Sequence, residues 1–268
     1  MPQSSRKTRE RQLAKLAERR RRERTRRRRQ RILVTVLALA VGVGGLGVAG
    51  YALIGSNPTK KKPAAAASSP TPSATPAGVA CGATVPKSAA TEKRPSYKTA
   101  PKMTISSKKT YTATMKTSCG TIVIQLDQKV APRTVNSFVF LARKHFFDGL
   151  IFHRIHKDFV IQGGDPTGTG SGGPGYSTID APPKDAKYTV GLVAMAKSGD
   201  EKAGTSGSQF FIVIGQDADL PADYAVIGKV VKGQEVAEKI GALPIKDGAS
   251  DGPPTQTVYM EQVTIKVS

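Results

Sequence analysis

Residues 108–268 predict a mainly β fold, a closed antiparallel barrel capped by two helices. Short β-patterned runs recur between Gly- and Pro-containing turns, and only two stretches carry helical periodicity. Strands and helices do not alternate along the chain, which argues against a doubly wound parallel sheet.

The first strands are TATMKT at 112–117 and TIVIQL at 121–126, with Ser118-Cys119-Gly120 between them as a hairpin turn. Ala131-Pro132 opens a helix, since proline's fixed φ and missing N–H suit a first helical turn. Val135, Phe138, Val139, Ala142 and Phe146 then recur on one helix face, a stripe for covering a sheet, and Asp148-Gly149 ends it. Further runs follow at LIFHRI 150–155, FVIQGG 159–164, VGLVAMA 190–196, SQFFIVIG 208–215 and YAVIGKV 224–230. A second short helix is expected over 235–240, stopped by Gly241. The chain closes on VYMEQVTIKVS, where Val263, Ile265 and Val267 share one face.

Upstream of residue 108 the composition changes three times. Residues 1–31 are an arginine-dominated tail, with RRRRERTRRRR at 19–29. Residues 32–54 carry no charge, and their length suits a helix crossing a bilayer, which needs about 20 apolar residues. The basic flank places the tail in the cytoplasm and the rest outside, as a single-pass cell-membrane protein. A cleaved signal peptide is the competing reading, but the apolar run exceeds the usual length of roughly 7–15 residues. Residues 55–107, rich in Pro, Ala, Ser and Lys, read as a disordered linker because they bury too little apolar surface to fold.

The formal charge of +21 suggests nucleic acid until it is divided along the chain. Residues 1–31 carry fifteen Lys and Arg against three Glu, whereas residues 108–268 carry eighteen against sixteen Asp and Glu. The domain is almost neutral, so no nucleic-acid partner is expected of it. The tail fits contact with anionic lipid headgroups, and it has no aromatic residues to stack on RNA bases. Cys81 and Cys119 fall on the outer side, where disulfides persist. Paired, they tie the end of the linker to the start of the domain; otherwise they are two free thiols. Two cysteines and three scattered histidines make no structural zinc site.

The chemistry concentrates in FHRIHKDFVIQGGD at 152–165 and GTSGSQFFIVIG at 204–215. PTGTGSGGPG at 166–175 lacks the Gly-Lys-Ser/Thr ending of a phosphate loop, and it reads as a flexible surface loop beside a site. His153 and His156 read as structural or solvated. These stretches, with AMA at 194–196 and YAVIGKVVKGQEV at 224–236, resemble the cyclophilin family of peptidyl-prolyl isomerases over Tyr111 to Ser268. That resemblance implies an eight-stranded antiparallel barrel with a helix at each end, acting on proline-containing polypeptides without metal or cofactor.

An X-Pro amide rotates slowly because resonance must be broken, leaving a barrier of roughly 20 kcal/mol. Arg154 suits the task, since a fixed cationic donor aimed at the proline nitrogen gains energy only as that nitrogen becomes pyramidal. The resemblance carries the remaining roles. Phe159, Val160, Phe211 and Leu220 would line the proline pocket, and Gln162 would bind substrate backbone and orient Arg154. Ala196 and Gln209 would line the adjoining groove, Lys197 would offer backbone groups, and Tyr224 would donate a hydrogen bond. Asp219 stands where cyclosporin-sensitive members have tryptophan, so weak cyclosporin binding is expected. The alternative is a catalytically weak, membrane-tethered proline-binding module or chaperone; retention of both Arg154 and Gln162 argues against it.

Overall fold

In the first strand of the domain, Tyr111, Ala113, Met115 and Thr117 are buried while Thr112, Thr114 and Lys116 face outward. This period of two gives the strand an inner and an outer face. The computed structural model describes residues 78–90, 94–215 and 220–268. The predicted tail, membrane span and linker up to residue 77, together with Asp219, lie outside the described residues. Among the described residues no helix is long and apolar enough to cross a membrane.

The elements in chain order are β1 (Tyr111–Thr117), β2 (Gly120–Leu126), α1 (Pro132–Arg143), β3 (Leu150–His156), β4 (Val160–Gly163), β5 (Thr178–Ile179), β6 (Leu192–Met195), β7 (Thr205–Ser206) and β8 (Phe210–Val213). They continue as β9 (Val226–Lys232), α2 (Gln234–Gly241), β10 (Asp251–Gly252) and β11 (Tyr259–Val267). Neighbours pair in the order β3-β11-β1-β2-β9-β6-β8-β4, and β4 pairs back onto β3. Every pairing is antiparallel, so eight strands close a barrel without a free edge. All eight match the strand runs read from the sequence. The two-residue pieces β5, β7 and β10 have no counterpart among those runs: β5 and β7 form a separate ribbon, and β10 pairs with the end of β3.

The barrel core is aromatic. Phe138 of α1 stacks on Phe147 at 4.9 Å, and Phe210 meets Phe138, Phe147 and Phe152 edge-on. The α1 stripe of Val135, Phe138, Val139 and Ala142 is buried as expected. Phe146 is buried too, but the helix has ended at Arg143, and Phe146 reaches the core from the following turn. No side chain of its own caps the start of α1; instead the Asp180 carboxylate accepts from Thr134 N–H at 2.7 Å, supplying an N-terminal acceptor from a distant loop.

One expectation about the ends of the domain holds, with Val263, Ile265 and Val267 opposite Met115, Ala113 and Tyr111 on one face, and one needs correction. Val263 is buried and Ile265 packs against the core, but Val267 is 37% exposed where the strand leaves the barrel. A register shift opposite Lys116 and Thr117 instead turns Met260 inward, three residues from Val263, a slip that strict alternation does not anticipate. Composition extends the disordered linker to residue 107, yet residues 78–90 and 94–107 lie on the barrel. Val79 bridges Thr257, and Ala80 is fully buried. Tyr97 sets its ring against Phe140 and Tyr176, and Ile105 packs on the core. Asn136 of α1 accepts from Thr104 N–H and donates to Lys102 O, satisfying backbone that composition alone would leave to water. A few apolar anchors suffice when a preformed surface receives them, and a stretch rich in Pro, Ser and Lys can carry those few without its overall polarity changing.

Cys81 and Cys119 are joined in a disulfide that clips this segment to the turn between β1 and β2. It closes a loop over a sequence separation of 38 residues. Replacing both cysteines with serine should lower stability by about 2–4 kcal/mol, by enlarging the unfolded ensemble. Urea unfolding with and without reductant checks this: the wild type should lose stability on reduction and the double variant should not respond.

Candidate active site

Strand β8, FFIV, is buried on both faces. Phe210 and Ile212 point into the barrel, while Phe211 and Val213 join Val160, Tyr188 and Ala194 in a second apolar cluster on the outer wall. On β4, Ile161 faces the core, and Val160 and Gln162 face the same outer wall. Gly164 makes the turn after β4 in a left-handed conformation (φ +85°), with Ser208 O too close to leave room for a Cβ. The two motif stretches are thus brought together by the β4–β8 ladder, in which Gln162 pairs with Phe211.

The outer cluster floors a cleft of about 450 Å³. Arg154, Phe159, Val160, Gln162, Ala196, Lys197, Phe211, Leu220 and Tyr224 all line it. Gln209 stands beside it in the adjoining groove. Arg154 and Gln162 are cross-strand partners in the β3–β4 ladder, and Arg154 Nη1 donates to Gln162 Oε1 at 3.0 Å. Gln162 Nε2 donates in turn to Gln209 Oε1 at 3.0 Å, and Gln209 Nε2 donates to the carbonyls of Gly170 and Gly172. Arg154, Gln162 and Gln209 therefore form one chain of hydrogen bonds along an apolar pocket.

Two participants carry no signal in the sequence motifs. Asp251 holds the other side of the Arg154 guanidinium, accepting from Nε and Nη2 at 2.7 Å each. Tyr188 is 1% exposed beneath the pocket; its hydroxyl donates to Tyr224 O and accepts from Tyr224 N–H, fixing the backbone that presents the Tyr224 ring. That ring meets Phe211 edge-on at 5.6 Å. Lys197 also contributes more than backbone: its ammonium pairs with Asp223 at 2.8 Å and sits 5.8 Å from the Tyr224 ring centroid.

The glycine-rich loop lies at the surface beside the site, as expected, but is tied down by Asp165. Asp165, 1% exposed, accepts from the backbone N–H groups of Thr167, Gly170 and Gly172 and from the Thr167 hydroxyl. Thr169 and Gly170 are thereby held at the cleft wall. Burial pushes the Asp165 pKa up, but these hydrogen bonds outweigh it and hold it below 3.8. His153 is buried against the same cleft with neither ring nitrogen bonded. Burial lowers its pKa below 6.5, with Asp165 opposing and Arg154 assisting.

Both depressed values act in the same direction. Neutral His153 and ionised Asp165 stabilise the fold above their unfolded values, and that stability is lost as pH falls through the folded ones. Denaturant midpoints should therefore decline below about pH 6.5, the ordinary histidine value. In His153→Phe this upper part of the decline should be diminished, while the part arising from Asp165, at lower pH, persists. An unchanged pH profile in the variant would contradict the assignment. Among the described residues no group of three or more His, Cys, Asp or Glu could hold a metal ion.

Residues 112–265 match the family model described as cyclophilin type peptidyl-prolyl cis-trans isomerase. Peptidyl-prolyl cis-trans isomerase A of Mycobacterium tuberculosis is 40% identical over 176 residues, covering 58% of this chain and 92% of that protein. Human peptidyl-prolyl cis-trans isomerase-like 1 is 41% identical over 133 residues, covering 48% of this chain and 78% of that protein. A crystal structure of a Cryptosporidium parvum cyclophilin type isomerase superposes with a TM-score of 0.53 at 30% identity, covering 59% of this chain and 98% of that one. The same protein, crystallised in the presence of the dipeptide Ala-Pro, gives 0.52 at 29% identity over 58% and 98%. With the model match spanning more than half its length, this chain belongs to the cyclophilin-type peptidyl-prolyl cis-trans isomerases.

Proposed function

We propose that this isomerase is tethered to the cell membrane by residues 32–54, with its domain outside, where it accelerates X-Pro rotation in exported or envelope proteins. The observation that carries the catalytic part is the position of Arg154: a permanent cation at the rim of an apolar pocket, gripped on two sides. Phe159, Val160, Phe211 and Leu220 hold the proline ring. Gln162 and Gln209 bind the backbone preceding or following it, with Tyr224 and the main chain of Lys197 completing the groove. As the C–N bond twists, the proline nitrogen gains a localised lone pair, and the Arg154 guanidinium donates towards it. The planar ground state lacks that lone pair, so the contact favours the transition state selectively. The tether rests on the uncharged run at 32–54 and the basic flank before it.

Exchange spectroscopy on an Ala-Pro peptide tests the activity, and resistance of the full chain to alkaline extraction from membranes tests the tether. Folded protein that leaves cis and trans exchange unaccelerated would instead favour a proline-binding module.

Asp251 has two opposing effects on this mechanism. It orients the guanidinium, and it partly neutralises the charge that acts on the substrate. The two side chains are 38% and 39% exposed, so solvent screens the charge effect and orientation dominates. Asp251→Ala should accordingly lower kcat/KM, by about 10-fold and at most 100-fold. Asp251→Asn, which keeps an acceptor without the charge, should fall between. Faster turnover in the Asn variant would mean that neutralisation, not orientation, dominates.

A further inference from the structure

The strands farthest from the proline pocket carry a second feature. In the ring of eight, β1 and β2 stand four places from β8 and β4, so their outer faces lie on the side opposite the pocket. The outward residues of β11, β1, β2 and β9 fall into three cross-strand rows. The first is Lys266, Thr112, Gln125 and Lys229; the second is Thr264, Thr114, Val123 and Lys232; the third is Gln262, Lys116 and Thr121. No acidic residue occupies any of these positions. A groove of about 550 Å³ extends the face at one end, where Lys108, Lys109 and Lys129 add further positive charge. Acidic residues near the face include Asp127 in that groove, whose carboxylate accepts from the N–H groups of the following turn, Glu261 at the β11 irregularity, and Glu235 in the first turn of α2, three residues past Lys232.

We propose that this face docks on an anionic lipid surface and so points the proline pocket away from it. The face and a layer of headgroup phosphates are complementary in charge. Lysines are point charges on flexible stems, suited to a diffuse layer of headgroup phosphates rather than to planar bidentate recognition. The rows contain no aromatic side chain on which bases would stack, which disfavours a nucleic acid. Val231, 56% exposed between Lys229 and Lys232, offers an apolar group to the interfacial layer. The chain also enters the domain beside this face. The Cys81–Cys119 disulfide fastens the incoming segment to the β1–β2 turn, at the margin of the basic face. Residues 55–80 connect Cys81 to residue 54 by no more than about 100 Å of chain. The docking rests on the proposed anchor only for proximity to lipid.

The full chain is mixed with vesicles of phosphatidylcholine, with or without phosphatidylglycerol, and pulsed with an amine-acetylating reagent. On anionic vesicles Lys116, Lys229, Lys232 and Lys266 should react about ten-fold more slowly, recovering in about 0.5 M salt. Lys157 and Lys184, outside the face, should not change. Alkaline extraction reads the anchor separately: a chain that extracts yet shows the protection retains the docking and loses the anchor. Equal reactivity on both vesicle types overturns the docking, whether or not the chain extracts. Protection by soluble polyphosphate but not by vesicles also overturns it, in favour of a polyanionic partner.

Discussion

Replacing Arg154 with alanine should lower kcat/KM for an Ala-Pro peptide by about 10²–10³-fold, or roughly 3–4 kcal/mol, the range seen when a preorganised transition-state donor is removed. The loss should appear mainly in kcat, because the apolar pocket that holds the ground-state proline is left in place. The fold should survive. Arg154 is partly exposed, Asp251 can be solvated when left alone, and Gln162 retains its bond to Gln209. Arg154→Lys should recover only part of the activity: an ammonium keeps the charge but cannot present a rigid fork to Asp251 and Gln162 while also reaching the substrate. Prolyl exchange, peptide affinity and the unfolding midpoint, measured on the same preparations, separate these effects. A variant that kept full exchange would remove Arg154 from the mechanism.

The adjacent pair Phe210 and Phe211 should give opposite outcomes. Phe210→Ala should cost about 3–5 kcal/mol of stability, because it leaves a cavity at the meeting point of three other phenylalanines. Phe211 faces a cleft already open to solvent, so Phe211→Ala should cost roughly half as much and chiefly raise KM. Denaturant unfolding and steady-state kinetics on both variants test this. If the two lost stability equally with unchanged KM, the division of β8 between core and pocket would be wrong.

That division shows how much is legible in the sequence. Strand runs, the α1 stripe and the hairpin at 118–120 follow from local periodicity, since alternation and helical spacing are imposed on neighbours in sequence. The pocket residues are legible only together, through the ordered motifs at 152–165 and 204–215. The packing of residues 78–107 is not, because its anchors are few and their receiving surface is built by residues far along the chain.

By itself the sequence determined the barrel's strands, its two helices, the near-neutral charge of the domain and the identity of the pocket's side chains. Only the tertiary structure decided what holds them. Asp251 grips Arg154 across 97 residues, Tyr188 supports Tyr224 across 36, and Asp165 gathers a loop that composition marks as flexible. Burial writes a period into the chain, whereas a polar contact between segments remote in sequence, such as Arg154 with Asp251, has none: its partners are chosen by where the closed barrel sets those segments down.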